Sequence, residues 1–457
     1  MKSKEKKIKW RWLTPFLALL MIVVGALLWV KMEGTPPRIE VAPEALSLGI
    51  HAEVMITVSD AKSGLSRVKV EILKENKAIP LLEEDFKSPG IFSKSGIREK
   101  TYTVTVEPKK LGLADGEATL RVMARDHSWR HWFHGNPGYL EKETVIDTQP
   151  PQIVVLSKFH YLNQGGTGLV VYRLTESCTK TGVRVGEHFF PGYGGQPDDP
   201  QRYVAFFALK HTQGPGTPIA VEAVDGAGNT ARTGFSYHIK ARRFKKDVIG
   251  LSDGFLERIL PRFQSQIGGA DTGPLIDRFL LVNRELREKN YQQMVQLTAE
   301  SEKTQLWDGP FLRLPNSERR AGFADHRDYV YQGKKVDEQV HLGIDLAATA
   351  HAPVPAANGG KVAFAGELGI YGQTILIDHG LGIFSMYSHL SDYAVQTGQE
   401  VEKGDIIGHT GDTGLAGGDH LHFSMVIHDT FVHPLEWWDP LWIEKRITAK
   451  LMGTENG

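Results

Sequence analysis

A multidomain, mainly β chain headed by one apolar helix is the fold class that three features of the sequence predict. Its 457 residues exceed what one core usually holds, since single cores stop growing near ~250–300 residues. Residues 12–30 run without a charge, and from about residue 38 to residue 240 short alternating apolar and polar runs are punctuated by Gly, Pro, Asp and Ser. With 41% hydrophobic and 23% charged residues, the composition is that of folded protein and excludes a largely disordered chain.

The apolar run WLTPFLALLMIVVGALLWV is about 19 residues long, and at ~1.5 Å per residue it matches a ~30 Å hydrocarbon layer. Segment 1–11 before it carries Lys2, Lys4, Lys6, Lys7, Lys9 and Arg11 against Glu5 alone. The positive-inside rule therefore predicts a cytoplasmic amino terminus and an exported remainder, with 12–31 as a retained transmembrane anchor and Trp10, Trp12 and Trp29 at the interfaces. The following VKMEGTPP offers no small-x-small cleavage site, which argues against a cleaved leader. No second apolar run of that length follows, so the expected topology is single-pass in the inner (cytoplasmic) membrane, with the bulk periplasmic or extracellular. Without the basic segment, 47 basic side chains face 53 acidic ones with no basic stripe, and no nucleic-acid partner is expected. Cys178 is the single cysteine, so no intrachain disulfide and no thiolate metal cluster can form, and any metal must be held by His and carboxylate.

After the linker at 33–37, the runs RIEVAPE, AEVMITVSD and SRVKVEIL read as half-buried strands. PPRIEV at Pro36 is echoed by PPQIVV at Pro150, and each unit runs to a strand that ends in an Asp turn, at Asp126 and at Asp225. Two tandem β modules follow from this, 35–147 and 148–241, each of a size usual for a β-sandwich. They resemble bacterial immunoglobulin-like repeats, which close on a strand followed by D-x-x-G-N; the second unit keeps DGAGN, whereas the first has Asp126-His127-Ser128-Trp129 there. Their expected role is that of a spacer, with a glycan- or protein-binding module as the alternative suggested by the aromatic stretch WRHWFHGNPGY.

Over 250–305 the period changes to three and four residues in GFLERILPRFQ and PLIDRFLLVNRELREKNYQQMVQLTAES. A helical connector of two helices is expected, broken at Pro261 and the Gly-rich stretch 268–273, serving as a link or as a hairpin that shields a cleft or recruits a partner.

The chemistry-bearing residues lie in 311–440, with a C-terminal tail at 441–457. HLGID supplies His341 and Asp345, YSHL supplies His389, and GGDHLHF supplies His420 and His422, all among Gly-, Val- and Ile-rich strand patterns. Three protein ligands on Zn²⁺ leave a fourth position for a water whose pKa falls towards ~7, which suits amide hydrolysis at neutral pH. In a strand, alternate side chains share a face, so His341 and Asp345 point one way, as do His420 and His422, and both pairs can line one cleft. In a helix the i, i+2 pair would diverge and could not share a metal.

This segment resembles the lysostaphin-type (LytM-like) zinc metallopeptidases of peptidoglycan, through HLGIDLA, AANGGKVAFAG, YGQTILIDHG, YSHLS, GQEVEKGDIIGHTGDTG, GGDHLHF and HPLEWW in that order. The resemblance implies an antiparallel-β peptidase domain over 311–440 and one Zn²⁺ held by His341, Asp345 and His422. It further implies that His420 is the catalytic histidine beside the metal water and that His389 polarises water or donates to the oxyanion. FADHR at 323–327 stands where relatives carry a Phe-Gly-x-Arg-like strand, and HAPVPA lacks their Gly-Thr/Ser-Pro turn, which bears on loop shape. His326, His351, His379, His409, His428 and His433 read as ordinary hydrogen-bonded or surface residues. Tyr371 reads as a substrate contact or a packing residue, and Asp378, Asp412 and Asp419 as turn residues.

The implied function is a membrane-anchored zinc endopeptidase acting on peptidoglycan peptide stems, with D-alanyl–diaminopimelate cross-links favoured over glycine bridges. Two alternatives stand beside it. One is a non-enzymatic regulator of a cell-wall amidase, which would bring an envelope protein as partner. The other is a peptidase of exported proteins.

Overall fold

The computed structural model describes residues 13–75, 77–88, 96–195, 199–267 and 273–453. The basic segment 1–11, with Trp10 and Trp12, lies outside them. The chain is mainly β and divides into two compact units, residues 1–150 with 224–230, and residues 151–223 with 231–457.

The first unit begins with the 19-residue helix Leu13–Lys31, whose apolar side chains, Phe16, Leu19, Met21 and Ile22 among them, are exposed. Counting only the described residues, no helix is long and apolar enough to cross a membrane. Beyond the helix, a three-stranded sheet (Arg38–Ala42, Ala52–Ser59, Glu99–Val106) and a five-stranded sheet (Ser47–Leu48, Pro137–Ile146, Gly116–Asp126, Leu65–Lys74, Lys77–Asp85) share one core. The period of two is the cause: Val54, Ile56 and Val58 on one sheet and Val68, Val70 and Ile72 on the other are all fully buried, while Met55, Thr57 and Lys69 between them are exposed or half-buried, and Glu71 is covered through its ion pairs with Lys69 and Arg121.

Two turns in this unit use one device. Asp225 Oδ1 accepts from the backbone N–H of Ala227 and of Asn229, and Asn229 Nδ2 donates to Asp225 Oδ2 at 2.8 Å. At the other turn, Asp126 Oδ1 accepts from the N–H of Ser128 and of Asn136, and Asn136 Nδ2 donates to Asp126 Oδ2 at 2.8 Å. The asparagine thus follows ten residues after the aspartate instead of four, and the extra residues form an aromatic loop.

The second unit builds its core continuously from the second β module through the helices into the C-terminal sheet. The sequence suggests successive pieces, yet the join is a packed interior. Trp437, fully buried, lies 6.3 Å from Phe206 and donates from Nε1 to Thr167 Oγ1 at 3.2 Å. Glu436 beside it accepts from Asn163 Nδ2 at 2.6 Å and from the Thr167 N–H at 2.8 Å, and burial pushes its carboxyl up to about 7. The strand Lys246–Leu251 then pairs in parallel with Asp325–Tyr331, which pairs antiparallel with Lys334–His341.

The connector comprises the helix Asp253–Ile259, capped by Ser252, which runs into a tight turn at Leu260–Phe263, and a continuous helical stretch from Leu275 to Leu297. Pro261 sits at the start of the tight turn, where its missing N–H costs no helical bond. A ten-stranded sheet completes the unit, with Glu318–Ala321, Ile344–Ala347, Leu421–Ile427, Ile383–Tyr393, Gln373–Asp378 and Gly360–Glu367 as successive neighbours.

His379, fully buried in the turn between the strands Gln373–Asp378 and Ile383–Tyr393, has Nδ1 on the Gly359 carbonyl and Nε2 facing the Ser385 hydroxyl, each at 2.7 Å. Burial pushes its imidazole down to about 4, against ~6.5 in an unfolded chain. Between these values the unfolded chain binds the proton and the folded one does not. The stability from this group is therefore present above pH ~6.5 and lost as pH falls towards ~4, by at most ~3 kcal/mol. The denaturant midpoint is expected to fall over that window, and less steeply in His379→Asn; equal slopes would contradict the assignment.

Candidate metal centre

Four strands bring the histidines and the carboxylate together. Asp345 on Ile344–Ala347 pairs directly with His422 on Leu421–Ile427, and His422 pairs on its other side with Ser388, next to His389. His420 precedes the strand by one residue, is bridged to Gly411 and points to the same face as His422. His341 arrives differently from the expectation of one shared strand. It ends Lys334–His341 in the three-stranded sheet, and the chain turns at Leu342-Gly343 to enter the ten-stranded one. The pair converges because the turn folds Asp345 back towards His341. Gly343 is required there, since a Cβ would lie 2.5 Å from His422 Nε2 and 2.6 Å from Ser424 Oγ.

His341 Nε2, Asp345 Oδ1 and His422 Nδ1 form a triangle with edges of 2.9 Å. The outer hydrogen bonds decide which ring nitrogens carry protons. His341 Nδ1 lies 2.8 Å from the Gly322 carbonyl, which can only accept, so Nδ1 is protonated and Nε2 holds a lone pair. Ser424 Oγ donates to the Leu342 carbonyl at 2.9 Å, so it accepts from His422 Nε2–H at 3.1 Å, and His422 Nδ1 keeps its lone pair. Three lone pairs thus meet with no proton among them. Such a cluster is stabilised by a cation, and all three atoms can reach one ion at the ~2.0–2.2 Å typical of zinc with N and O donors. The donor set therefore fits Zn²⁺.

Electrostatics agree with the geometry. Burial opposes the charge of Asp345, and without a metal it takes positive charge on the imidazoles of His341, His420 and His422 to hold its carboxyl well below the usual range, the place a cation would fill among three unprotonated donors. Arg327 Nη2 donates to Asp345 Oδ2 at 3.0 Å, which leaves Oδ1 to face the triangle. Burial pushes His422 down to about 4. Burial also lowers His420, yet the Asp345 carboxylate, 3.5 Å from its Nε2, outweighs this and leaves it raised. His420 Nδ1 donates to the Gly418 carbonyl at 2.8 Å, so Nε2 is the free acceptor. His389, lowered well below its usual value by burial and by the neighbouring His420 and His422, donates from Nδ1 to the Thr413 carbonyl at 2.8 Å. Its neutral ring therefore offers Nε2 as an acceptor. Of the two roles the resemblance implies for it, orienting a water uses this tautomer, and donation to an oxyanion would use the ring protonated at Nε2.

Two cavities, about 470 and 280 Å³, meet at this centre and share Arg287, Arg327, Tyr329, His341, Tyr371 and His422 as walls. The larger reaches His211 and Thr212 of the second β module, and the smaller is closed by Phe255 and Phe279 of the helical connector. Tyr371 is nearly buried, with its ring 5.9 Å from that of His422. Sequence reasoning missed Arg287, Arg327 and His211. Arg327 carried a signal in FADHR, whereas Arg287 looks like any charge on an amphipathic helix.

Of the other histidines, His433 is buried and accepts from the Leu435 N–H, and His409 lies 3.0 Å from Asp392. Asp378 accepts from Ser301 Oγ and from the backbone of Glu302 and Gly380; Asp412 pairs with Arg262; Asp419 accepts from Thr410 Oγ1 and the His351 N–H.

Residues 339–434 match the profile of peptidase family M23. Among curated proteins the chain is similar to the DD-carboxypeptidase/endopeptidase Mpg of Neisseria meningitidis serogroup B, 38% identical over 97 residues, 21% of this chain and 22% of that protein. It is also similar to the peptidoglycan DD-endopeptidase ShyA of Vibrio cholerae, 32% identical over 96 residues, 21% of this chain and 22% of that protein. The chain thus spans about a fifth of the length of these relatives. The solved catalytic domain of lysostaphin from Staphylococcus simulans is 28% identical, with 29% of this chain and 98% of that one covered and a TM-score of 0.25.

The lone-pair triangle predicts that zinc stabilises the fold. At a free concentration one hundred times Kd, linkage gives ~2.7 kcal/mol. Thermal unfolding of the metal-depleted protein is expected to shift upward with added zinc, and not to shift in His341→Ala; an equal shift in both would place the metal elsewhere.

Proposed function

We propose that this chain, which carries a peptidase family M23 domain at its C-terminal end, is a membrane-anchored zinc endopeptidase that cuts peptide cross-links of bacterial peptidoglycan. The observation that carries the reading is the set of three unprotonated donors, His341 Nε2, Asp345 Oδ1 and His422 Nδ1, facing one point. The activities for which these relatives are named, DD-carboxypeptidase/endopeptidase and peptidoglycan DD-endopeptidase, support the substrate class.

When bound, zinc would supply Lewis acidity to a substrate carbonyl and lower the pKa of a water. His420 Nε2 accepts the proton of the attacking water, and the resulting imidazolium is stabilised by Asp345 beside it. His389 Nε2 accepts the second hydrogen bond of that water and aims its lone pair. The protonated His420 then returns the proton to the leaving amine. Tyr371, Arg287 and Arg327 line the path of the peptide, and the aromatic wall of Phe255 and Phe279 limits water on one side.

The membrane part of the proposal rests on the uncharged run 12–30 behind six basic residues, and on the exposed apolar surface of the helix Leu13–Lys31. In this reading the protein is single-pass in the cytoplasmic membrane, with its amino terminus in the cytoplasm and both folded units outside.

Incubating the full chain in detergent with sacculi, with and without chelator, tests the activity. Cleaved cross-links that vanish with chelator are expected, and His420→Ala should keep its zinc while losing at least ~10²-fold in rate. No product under any condition would favour a regulator of another wall hydrolase, and cleavage of proteins alone would move the substrate class.

A further inference from the structure

The aromatic loop of the first unit has no part in the chemistry above. It is inserted between Asp126 and Asn136, whose mutual hydrogen bonds close the turn beneath it. Trp132 is 90% exposed and Phe133 72% exposed, whereas Trp129 is half-buried with its ring 5.7 Å from that of Phe133. His131, Trp132 and Phe133 all have φ between 49° and 66°. Three consecutive non-glycine residues in the left-handed region cost free energy, and such strain persists where the surroundings impose it and usually marks a working surface. Here it turns two large apolar side chains into solvent. A packed corner, the plain reading of such a cluster, would bury them.

What lies beside the loop suggests its occupant. The Trp129 N–H donates to the Lys31 carbonyl at 2.8 Å, Ser128 Oγ donates to the carbonyls of Lys31 and Glu33, Arg130 Nε donates to the Met32 carbonyl at 3.0 Å, and Asn136 Nδ2 donates to the Glu33 carbonyl. The loop is therefore fastened to the residues at which the helix Leu13–Lys31 ends. The Arg130 guanidinium packs over Gly34, 3.0 Å from where a Cβ would be. Trp29 and Met32, at the same helix exit, are 84% and 47% exposed. Aromatic side chains with basic neighbours, gathered where an apolar helix leaves a bilayer, are what a headgroup region accommodates.

We propose that the 129–134 loop is an interfacial membrane contact, with Trp132 and Phe133 dipping into the lipid headgroup layer beside the end of the anchor helix. The contact holds the first β module against the bilayer instead of letting it swing on a linker. This rests on the reading of residues 12–31 as a membrane anchor, and the test separates the two.

The full chain, with Cys178→Ser, is reconstituted in nanodiscs of phosphatidylethanolamine and phosphatidylglycerol with an environment-sensitive fluorophore on Trp132→Cys. The control carries it on Glu117→Cys, at the opposite end of the strand Gly116–Asp126. Blue-shifted emission at 132, with loss of most of its intensity on adding shallow spin-labelled lipid, and neither change at 117, is the expected result. If the protein resists alkaline carbonate extraction from vesicles and yet the label at 132 stays aqueous, the anchor stands and the loop contact is overturned. If carbonate removes the protein and the label is aqueous, both fall. A response at 132 to soluble glycan fragments in detergent, without one to lipid, would also overturn the proposal in favour of a sugar contact.

Discussion

The site in the second unit is built around three lone pairs that face one another with no proton between them. Left alone, His341 Nε2, Asp345 Oδ1 and His422 Nδ1 repel at 2.9 Å, so the surrounding hydrogen bonds must fix each ring against turning away. The Gly322 carbonyl does this for His341, Arg327 for Asp345, and the Ser424–Leu342 relay for His422. The two histidines that are not in the triangle are held in the same way, by the carbonyls of Thr413 and Gly418. Backbone carbonyls fix the protonation pattern, and the pattern determines which residue can take up a proton.

Much of this site was legible in the sequence because strands have a period of two. His420 and His422 share a face for that reason, and the glycines of GGDHLHF argued against a helix. The route by which His341 joins them was not legible, because a change of sheet within two residues leaves no periodic trace. Arg287 was hidden for another reason: a charged side chain on an amphipathic helix looks the same whether it meets solvent or lines a cleft. The protonation states depended on which carbonyl each ring meets, and that is a tertiary fact.

At the level of the fold, the alternating runs of the first unit foretold its two buried faces. The continuity of the second unit did not show, because it depends on contacts such as Glu436 with Asn163 and Trp437 with Thr167, more than 260 residues apart in sequence. The aromatic stretch gave a composition without a direction; the Asp126–Asn136 closure and the bonds to Lys31 and Met32 supply it. Within the second unit, the second β module and the connector form walls of the cleft, and the chemistry is bounded by parts of the chain that no local motif identifies.

X-ray absorption at the zinc edge of the metal-loaded full chain tests the account most directly. Two imidazole nitrogens and one carboxylate oxygen are predicted at ~2.0–2.2 Å, with a further light donor completing four-coordination. A sulfur shell, a first shell made of water oxygens, or a spectrum unchanged by His422→Ala would contradict it.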